Sequence, residues 1–260
     1  MPYVVSEGVR TYYELAGDGP PVVLLHGRTI SLEVWKVMGY VEGLAGRYRL
    51  IMLDARGHGK SDKPHASGKY AMKLMVGDAV AVLDDLGIDK ATFWGYSMGG
   101  RIALATGKYA PERLSSLVIG GAGLGETDSR EDVERAQKSI QQYRERVELV
   151  EKYKAEGWPD DIEDWKRRLW ESADYEAIIA CTSHFENLDM AEYLPKVAKP
   201  CLFYVGSEDN VSYPRAKACA EIMQNAQFVS IRGLDHAEGH YQSSAVLPYV
   251  LRFLESVTRT

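Results

Sequence analysis

The chain has 260 residues, of which 45% are hydrophobic and 26% are charged. This length and composition suit one large α/β domain, alone or with an insertion, and argue against disorder. The formal net charge of −6 comes without a long run of like charge, which excludes an extended basic surface for nucleic acid or anionic lipid.

The N-terminal residues lack a basic segment followed by an apolar one, and no apolar stretch approaches the length needed to cross a bilayer. The three cysteines, Cys181, Cys201 and Cys219, are widely spaced and form no metal-ligand pattern. Their odd number argues against a disulfide framework. We therefore expect a cytoplasmic protein with reduced cysteines and no membrane partner.

Short apolar runs alternate with helical patterns in the first part of the chain. Residues 4–6 and 10–15 are typical of an antiparallel hairpin at a sheet edge. Continuous apolar runs, which suit strands buried on both faces, occur at 22–25, 48–53, 91–94 and 114–119. Helical patterns lie between them at about 32–44, 70–86 and 97–109. This order predicts an α/β fold with a mostly parallel, doubly wound sheet.

The alternation stops after residue 123. Residues 124–188 are helical in pattern, charged and aromatic, and they hold three of the five tryptophans. Strand patterns then resume at 201–205 and 227–231, and helical patterns at 213–223 and 241–257. We predict a core domain formed by residues 1–123 and 189–260, with residues 124–188 inserted as a helical lid over one end of the sheet.

The sequence Gly95-Tyr96-Ser97-Met98-Gly99-Gly100 lies where a predicted strand meets a predicted helix. A Gly-x-Ser-x-Gly pattern is weakly specific by itself, but small residues at a strand-to-helix turn let the backbone bend sharply. Ser97 is then exposed in a strained elbow at a helix N-terminus, with the N–H of Met98 free to donate a hydrogen bond. The alternative is a tight turn with a capping serine.

A second motif, His26-Gly27, directly follows a predicted strand. Loops that leave the carboxyl ends of parallel strands form the active-site crevice in such sheets. Gly27 lets the backbone approach a substrate, and the N–H of Arg28 is a candidate oxyanion donor beside that of Met98. We interpret His26 as structural, bonding backbone groups around its own loop.

The last two strand patterns are followed by Gly206-Ser207-Glu208-Asp209 and Gly233-Leu234-Asp235-His236. A serine hydroxyl is too weak an acid to attack unaided, so a histidine must take its proton while a carboxylate fixes the imidazole tautomer. The chain order predicts Ser97 as nucleophile, His236 as general base and Asp209 as the group that orients the base.

Neighbouring residues compete for these roles. Glu208 is an alternative acid, which we interpret as a solvated turn residue. His240 is an alternative base, but it lies deeper in the following helical pattern. Asp235 adjoins His236, and adjacent side chains usually point apart.

Together these motifs resemble the α/β-hydrolase superfamily, in its lidded, esterase-like branch, over nearly the whole chain apart from the lid. Further matches are the segments 17–21 and 54–62. The nucleophile elbow of the family falls on Ser97, its Gly-x-x-Asp on Asp209 and its terminal Gly-x-x-His on His236. A serine at the elbow excludes the haloalkane dehalogenase and epoxide hydrolase branches, which use an aspartate there.

The resemblance implies a carboxylic ester hydrolase that cleaves a small-molecule ester, lactone or thioester through an acyl-enzyme on Ser97, without cofactor or metal. We expect the substrate pocket to include Gly27, Arg28 and the lid aromatics Trp158, Trp165 and Tyr175. The oligomeric state of the protein is left open. Because a protonated imidazole cannot act as a base, activity should fall in acid.

Three other functions remain open. The sequence Gly-Tyr-Ser-Met-Gly-Gly-Arg also resembles the elbow of a menaquinone-pathway synthase of the superfamily, a C–C lyase that uses the triad as a base. The second is a hydrolase-fold ligand receptor with little turnover, and the third is a perhydrolase. Arg28, and Arg101 one helical turn after Ser97, suit a substrate carboxylate or pair with structural acids.

Overall fold

One eight-stranded sheet organises the computed structural model, which describes residues 2–123, 130–184 and 190–258. The strands are β1 (Tyr3–Ser6), β2 (Val9–Ala16), β3 (Pro21–Leu25), β4 (Arg49–Leu53), β5 (Ala91–Tyr96), β6 (Leu114–Gly120), β7 (Cys201–Gly206) and β8 (Ala226–Ile231). Their order across the sheet is β1-β2-β4-β3-β5-β6-β7-β8.

The predicted edge hairpin and the predicted parallel core are both present. β1 and β2 pair antiparallel through a turn in which Glu7 and Gly8 have φ of 50° and 75°. β2 also pairs antiparallel with β4, and β3 to β8 pair in parallel with one another. The mostly parallel α/β sheet predicted from the sequence is therefore confirmed.

Helices cover both faces of the sheet. They are α1 (Glu33–Val37), α2 (Tyr40–Leu44), α3 (Met72–Asp85), α4 (Met98–Tyr109), α5 (Arg130–Glu156), α6 (Asp164–Ser172), α7 (Tyr175–Ser183), α8 (Met190–Tyr193), α9 (Ser212–Ile222), α10 (Glu238–Tyr241) and α11 (Ser243–Thr258), with short 3-10 turns at Ser67–Tyr70, Pro111–Arg113 and Leu194–Lys196. Of the helices in these ranges, none combines the length and the apolar character that a bilayer crossing requires.

Two hydrophobic layers enclose the sheet because alternate residues of each strand point to opposite faces. Val23 and Leu25 of β3 join α3, α4 and α9 in one layer. Val22 and Leu24 join α1, α2 and α11 in the other. The parallel strands are thus buried on both faces, which explains their continuous apolar runs.

One predicted helix is divided in the structure. The pattern at 32–44 forms α1 and α2, because Gly39 adopts a left-handed φ of 81° between them. Apolar periodicity continues through this interruption, so the sequence pattern does not mark it. The helix predicted at 241–257 is present as α11, which begins two residues later and follows the separate short helix α10.

The described residues between β6 and β7 are largely helical, as the sequence predicts. α7 packs against α5 and against Ser67–Tyr70. It also reaches the core, because the Sγ of Cys181 lies 3.8 Å from the Sδ of Met98 at the start of α4. Residues 124–129 and 185–189 of the predicted lid lie outside the described residues, and its assignment as a separate lid stays a prediction.

Candidate active site

Ser97 occupies a strained turn between β5 and α4. Its φ of 53° and ψ of −112° lie outside the regions that L-residues favour. Its N–H donates to the carbonyl of Gly120 on the neighbouring strand at 2.8 Å, which holds the turn against the sheet. A methyl group on Gly99 would lie 2.0 Å from the Leu25 carbonyl oxygen, so this approach requires glycine.

A continuous hydrogen-bonded path joins the three side chains predicted to act together. His236 Nε2 lies 3.0 Å from Ser97 Oγ, and His236 Nδ1 lies 2.6 Å from Asp209 Oδ2. A carboxylate can only accept, so Nδ1 carries the proton and leaves Nε2 free to accept the serine proton. The three residues come from the loops after β5, β7 and β8, which end at the same edge of the sheet.

Asp209 is buried, with 4% of its surface exposed, and its charge is compensated on both oxygens. Oδ1 accepts the N–H of Ser212 at 2.9 Å, while Oδ2 faces His236. Burial by itself raises the pKa of Asp209, but the hydrogen bonds and charge of these partners outweigh it, so the pKa lies below its usual value. The carboxylate is therefore ionised at neutral pH.

Two residues that the sequence analysis did not single out also hold the imidazole. Ser212 Oγ lies 3.3 Å from His236 Nδ1, and the Tyr96 hydroxyl donates to the His236 carbonyl at 2.6 Å. Ser212 is the first residue of α9 and donates its N–H to Asp209 Oδ1, so its place beside the imidazole follows from the start of this helix. Tyr96 gives no local signal, because only the fold brings it beside the loop after β8.

The competing residues have other partners. Oδ1 of Asp235 accepts the N–H groups of Ala237 and Glu238, each at 2.8 Å, so it caps α10. Glu208 accepts the hydroxyl of Ser207 at 2.9 Å. His240 is buried and stacks on Tyr96 with ring centroids 4.4 Å apart, and burial lowers its pKa to about 3.

The backbone of the loop after β3 lies against Ser97. A methyl group on Gly27 would lie 3.7 Å from Ser97 Cβ. His26 holds this loop, because its Nδ1 lies 2.6 Å from the Gly27 carbonyl oxygen and its Nε2 accepts the N–H of Ala55 at 3.0 Å. In the described ranges, no backbone carbonyl accepts the N–H of Arg28 or of Met98. Their role as oxyanion donors stays a prediction.

The predicted aromatic residues of the pocket lie at different places. Trp158 packs within the helical segment against Tyr153 and Trp170, at centroid distances of 5.3 and 6.2 Å. Trp165 lines a cavity of about 260 Å³ between α6 and the loops after β3 and β4. Tyr175 begins α7. Contact with a substrate stays a prediction for all three.

Metal ligation is not evident at this edge of the sheet. Across residues 2–123, 130–184 and 190–258, no group of three or more His, Cys, Asp or Glu side chains is arranged to hold a metal ion.

Comparison with known proteins places the chain in a family. The family model described as alpha/beta hydrolase fold matches residues 20–154. The chain therefore belongs to the α/β-hydrolase fold family.

Individual relatives differ in how much of the chain they match. A putative 2-succinyl-6-hydroxy-2,4-cyclohexadiene-1-carboxylate synthase of Bacillus subtilis is 39% identical over 44% of this chain and 42% of its own length. A 2-hydroxymuconate semialdehyde hydrolase of Pseudomonas sp. is 37% identical over 46% and 43%. The matched segment thus spans less than half of these curated relatives. A thermophilic esterase from Thermogutta terrifontis, whose structure is described as malate bound, superposes over 98% of both chains, with a TM-score of 0.81 and 25% identity.

Proposed function

We propose that the protein is a serine hydrolase that cleaves a carboxylic ester, lactone or thioester of a small molecule, with Ser97 as nucleophile, His236 as general base and Asp209 as orienting acid. One observation carries the proposal: the path from Ser97 Oγ through His236 to Asp209, with spacings of 3.0 and 2.6 Å. These spacings are within reach of proton transfer.

In the proposed reaction, His236 Nε2 takes the proton of Ser97 Oγ as the oxygen attacks the substrate carbonyl. The N–H groups of Arg28 and Met98 stabilise the resulting oxyanion. The tetrahedral intermediate collapses, and the alcohol leaves with the proton from His236. Water then gives a proton to His236 and attacks the acyl-enzyme, so that the acid is released and Ser97 regains its hydrogen.

Ester hydrolysis is preferred because the esterase from Thermogutta terrifontis matches this chain along almost its whole length, the helical segment included. The synthase from Bacillus subtilis matches less than half of the chain. Its higher identity nevertheless favours a second candidate, a C–C lyase in which the same triad acts only as a base. Turnover of simple esters separates the two functions.

The test is a screen of 4-nitrophenyl esters and lactones of graded size with the wild-type chain and Ser97→Ala. We expect the variant to lose turnover by on the order of 10³-fold or more, because the nucleophilic oxygen is gone. Ser115→Ala, on an exposed position of β6, is the matched control and should keep full activity.

Two results would overturn the proposal. One is a folded Ser97→Ala protein that keeps most of its esterase activity. The other is a wild-type chain that cleaves no ester or lactone, which would favour the lyase or a receptor of very low turnover.

A further inference from the structure

Arg28 belongs to the loop that lies against Ser97, the proposed nucleophile. It follows Gly27, whose backbone lies against Ser97, with 3.7 Å between the Ser97 Cβ and a methyl group placed on Gly27. Its side chain is half-buried, and its Nε is fully buried without a hydrogen-bond partner. A buried guanidinium N–H without an acceptor is costly, and a ligand that supplies the acceptor would remove that cost.

Arg101 approaches the same place from α4. Its backbone N–H donates to the Ser97 carbonyl at 3.1 Å, so it lies one helical turn beyond the nucleophile. Burial lowers the pKa of Arg101 and the positive charge of Arg28 lowers it further, whereas the negative charge of Asp132 acts in the opposite direction. The positive charges of Arg28 and Arg101 therefore act unfavourably on each other.

The thiol of Cys181 on α7 experiences the positive charges of both arginines. Its Sγ lies 3.8 Å from the Sδ of Met98, the residue after the nucleophile. Burial raises the pKa of the Cys181 thiol, whereas the charges of Arg28 and Arg101 act in the opposite direction. Both positive charges therefore act on the Cys181 thiol, where α7 contacts the turn at Ser97.

The structural acids that might neutralise these arginines have other partners. Asp54 accepts the N–H groups of Leu32 and Lys60, each at 2.8 Å. Asp132 on α5 pairs with Arg215 at 2.7 Å and with Arg135 at 3.3 Å. Asp62 pairs with Arg10 at 2.9 Å.

No described carboxylate forms an ion pair with either Arg28 or Arg101. Arg56 provides a contrast, because it is fully buried but is paired with Asp78 at 2.6 Å. The buried charge of Arg56 is thus compensated within the protein, whereas Arg28 and Arg101 have no such ion pair among the described residues.

We propose that Arg28 and Arg101 form a carboxylate-binding subsite beside Ser97, so that the natural substrate is an ester that carries a negative charge. The proposal rests on the proposed function and names its substrate class. A carboxylate between the two guanidinium groups accepts charge-assisted hydrogen bonds and removes their mutual repulsion. The carboxylate belongs to either the acyl or the alcohol part of the ester.

The kinetic test compares anionic esters with neutral esters of the same shape. Monoethyl glutarate and ethyl glutaramate differ in the acyl part, and acetoxyacetate and acetoxyacetamide differ in the alcohol part. We expect wild-type kcat/KM, measured by proton release, to favour the anion of one pair by about tenfold or more. The favoured pair identifies the part of the ester that carries the charge.

Variants connect this preference to the two side chains. Arg28→Gln and Arg101→Gln should each reduce the ratio of anionic to neutral kcat/KM by about tenfold, and Arg28→Lys should restore part of it. The ratio within each variant corrects for any general loss of activity. Arg252→Gln removes the same charge from an exposed position of α11 and should leave the ratio unchanged.

A binding measurement keeps the subsite testable without turnover. Calorimetry of Ser97→Ala with glutarate and with glutaramide should show binding of glutarate only, weaker in Arg28→Gln,Ser97→Ala and at high salt. Equal binding of the two compounds, or equal kinetics in both ester pairs, overturns the subsite. If neutral esters are still cleaved through Ser97, the proposed hydrolase function survives that result.

Discussion

The edge of the sheet and the helical segment that follows β6 are built on different physical principles. At the sheet edge, Ser97 and Asp209 follow strands that are buried on every residue, and backbone hydrogen bonds fix both turns. In α5, by contrast, Asp132 and Val150 are the buried residues among 27. Ion pairs such as that of Arg130 with Glu134 are solvent-exposed and contribute little.

The sheet edge therefore suits the reacting groups, and the helical segment suits residues that set substrate specificity. Reacting atoms must be held within a fraction of an ångström, which buried strands and satisfied backbone groups achieve. A helical segment attached through fewer buried contacts can change its sequence without moving those atoms. We therefore expect substitutions at the sheet edge to have large effects and substitutions in α5 to have small ones.

The largest effect is expected for Asp209→Asn. The amide can donate to His236 Nδ1 and so favours the wrong imidazole tautomer, and it removes the charge that stabilises the imidazolium. We expect kcat to fall on the order of 10³-fold while the melting temperature changes little. Steady-state kinetics checks this, with Glu208→Gln as the matched control, because the Glu208 carboxylate is exposed and bonds only Ser207 among the described contacts. A variant that keeps a tenth of wild-type activity would contradict the assignment.

An effect of intermediate size is expected in acid. His58 and His240 are buried, each has an Nε2 without a partner, and burial lowers the pKa of each from 6.5 to about 3. Below 6.5 the unfolded chain binds protons that the folded chain cannot, so stability falls. Each histidine contributes about 1.4 kcal/mol per pH unit, so the free energy of unfolding should be roughly 3 kcal/mol lower at about pH 5.5 than at neutral pH.

Urea unfolding between these two pH values measures this loss. The exposed His65 pairs with Asp174, which raises its pKa, so its contribution has the opposite sign: it is present below 6.5 and is lost as pH rises through the raised value. His65→Gln should therefore retain the steep acid dependence. A flat profile between neutral pH and about 5.5 would show that the buried rings accept protons without cost.

The smallest effect is expected in the helical segment. The Arg146 guanidinium lies 3.9 Å from the centroid of the Trp170 ring, a cation–π contact that joins α5 to α6. Arg146→Gln should lower the free energy of unfolding by about 0.5–1 kcal/mol. Arg144→Gln, exposed on the same helix, is the control and should have no measurable effect. A loss above about 2 kcal/mol in Arg146→Gln would mean that this segment supports the core.

Sequence patterns predicted the active-site residues because each carries a local signal. Small residues flank Ser97 where the chain must turn sharply, and Asp209 and His236 each follow a glycine-containing turn after a strand. The partners of these residues carry weaker signals. Tyr96 holds His236 from a strand 140 positions away in sequence, and no local pattern indicates such a contact.

The two arginines are a second case in which the sequence could not predict the contacts of a side chain. The sequence placed Arg28 and Arg101 near Ser97 but left open whether structural acids neutralise them. Only the packing of the loops after β3 and β4 and of α5 shows that Asp54 and Asp132 have other partners. Pairing between charges depends on distances between elements, which a sequence does not state.

The amino-acid sequence by itself determined the alternation of strands and helices, the buried faces and the turns where the reactive side chains lie, because these depend on periodicity and on residues adjacent in the chain. The folded structure was needed to show the break at Gly39, the lowered pKa values of His58 and His240, and that Arg28 forms no ion pair with a described acid. These properties depend on burial and on contacts between residues far apart in the chain.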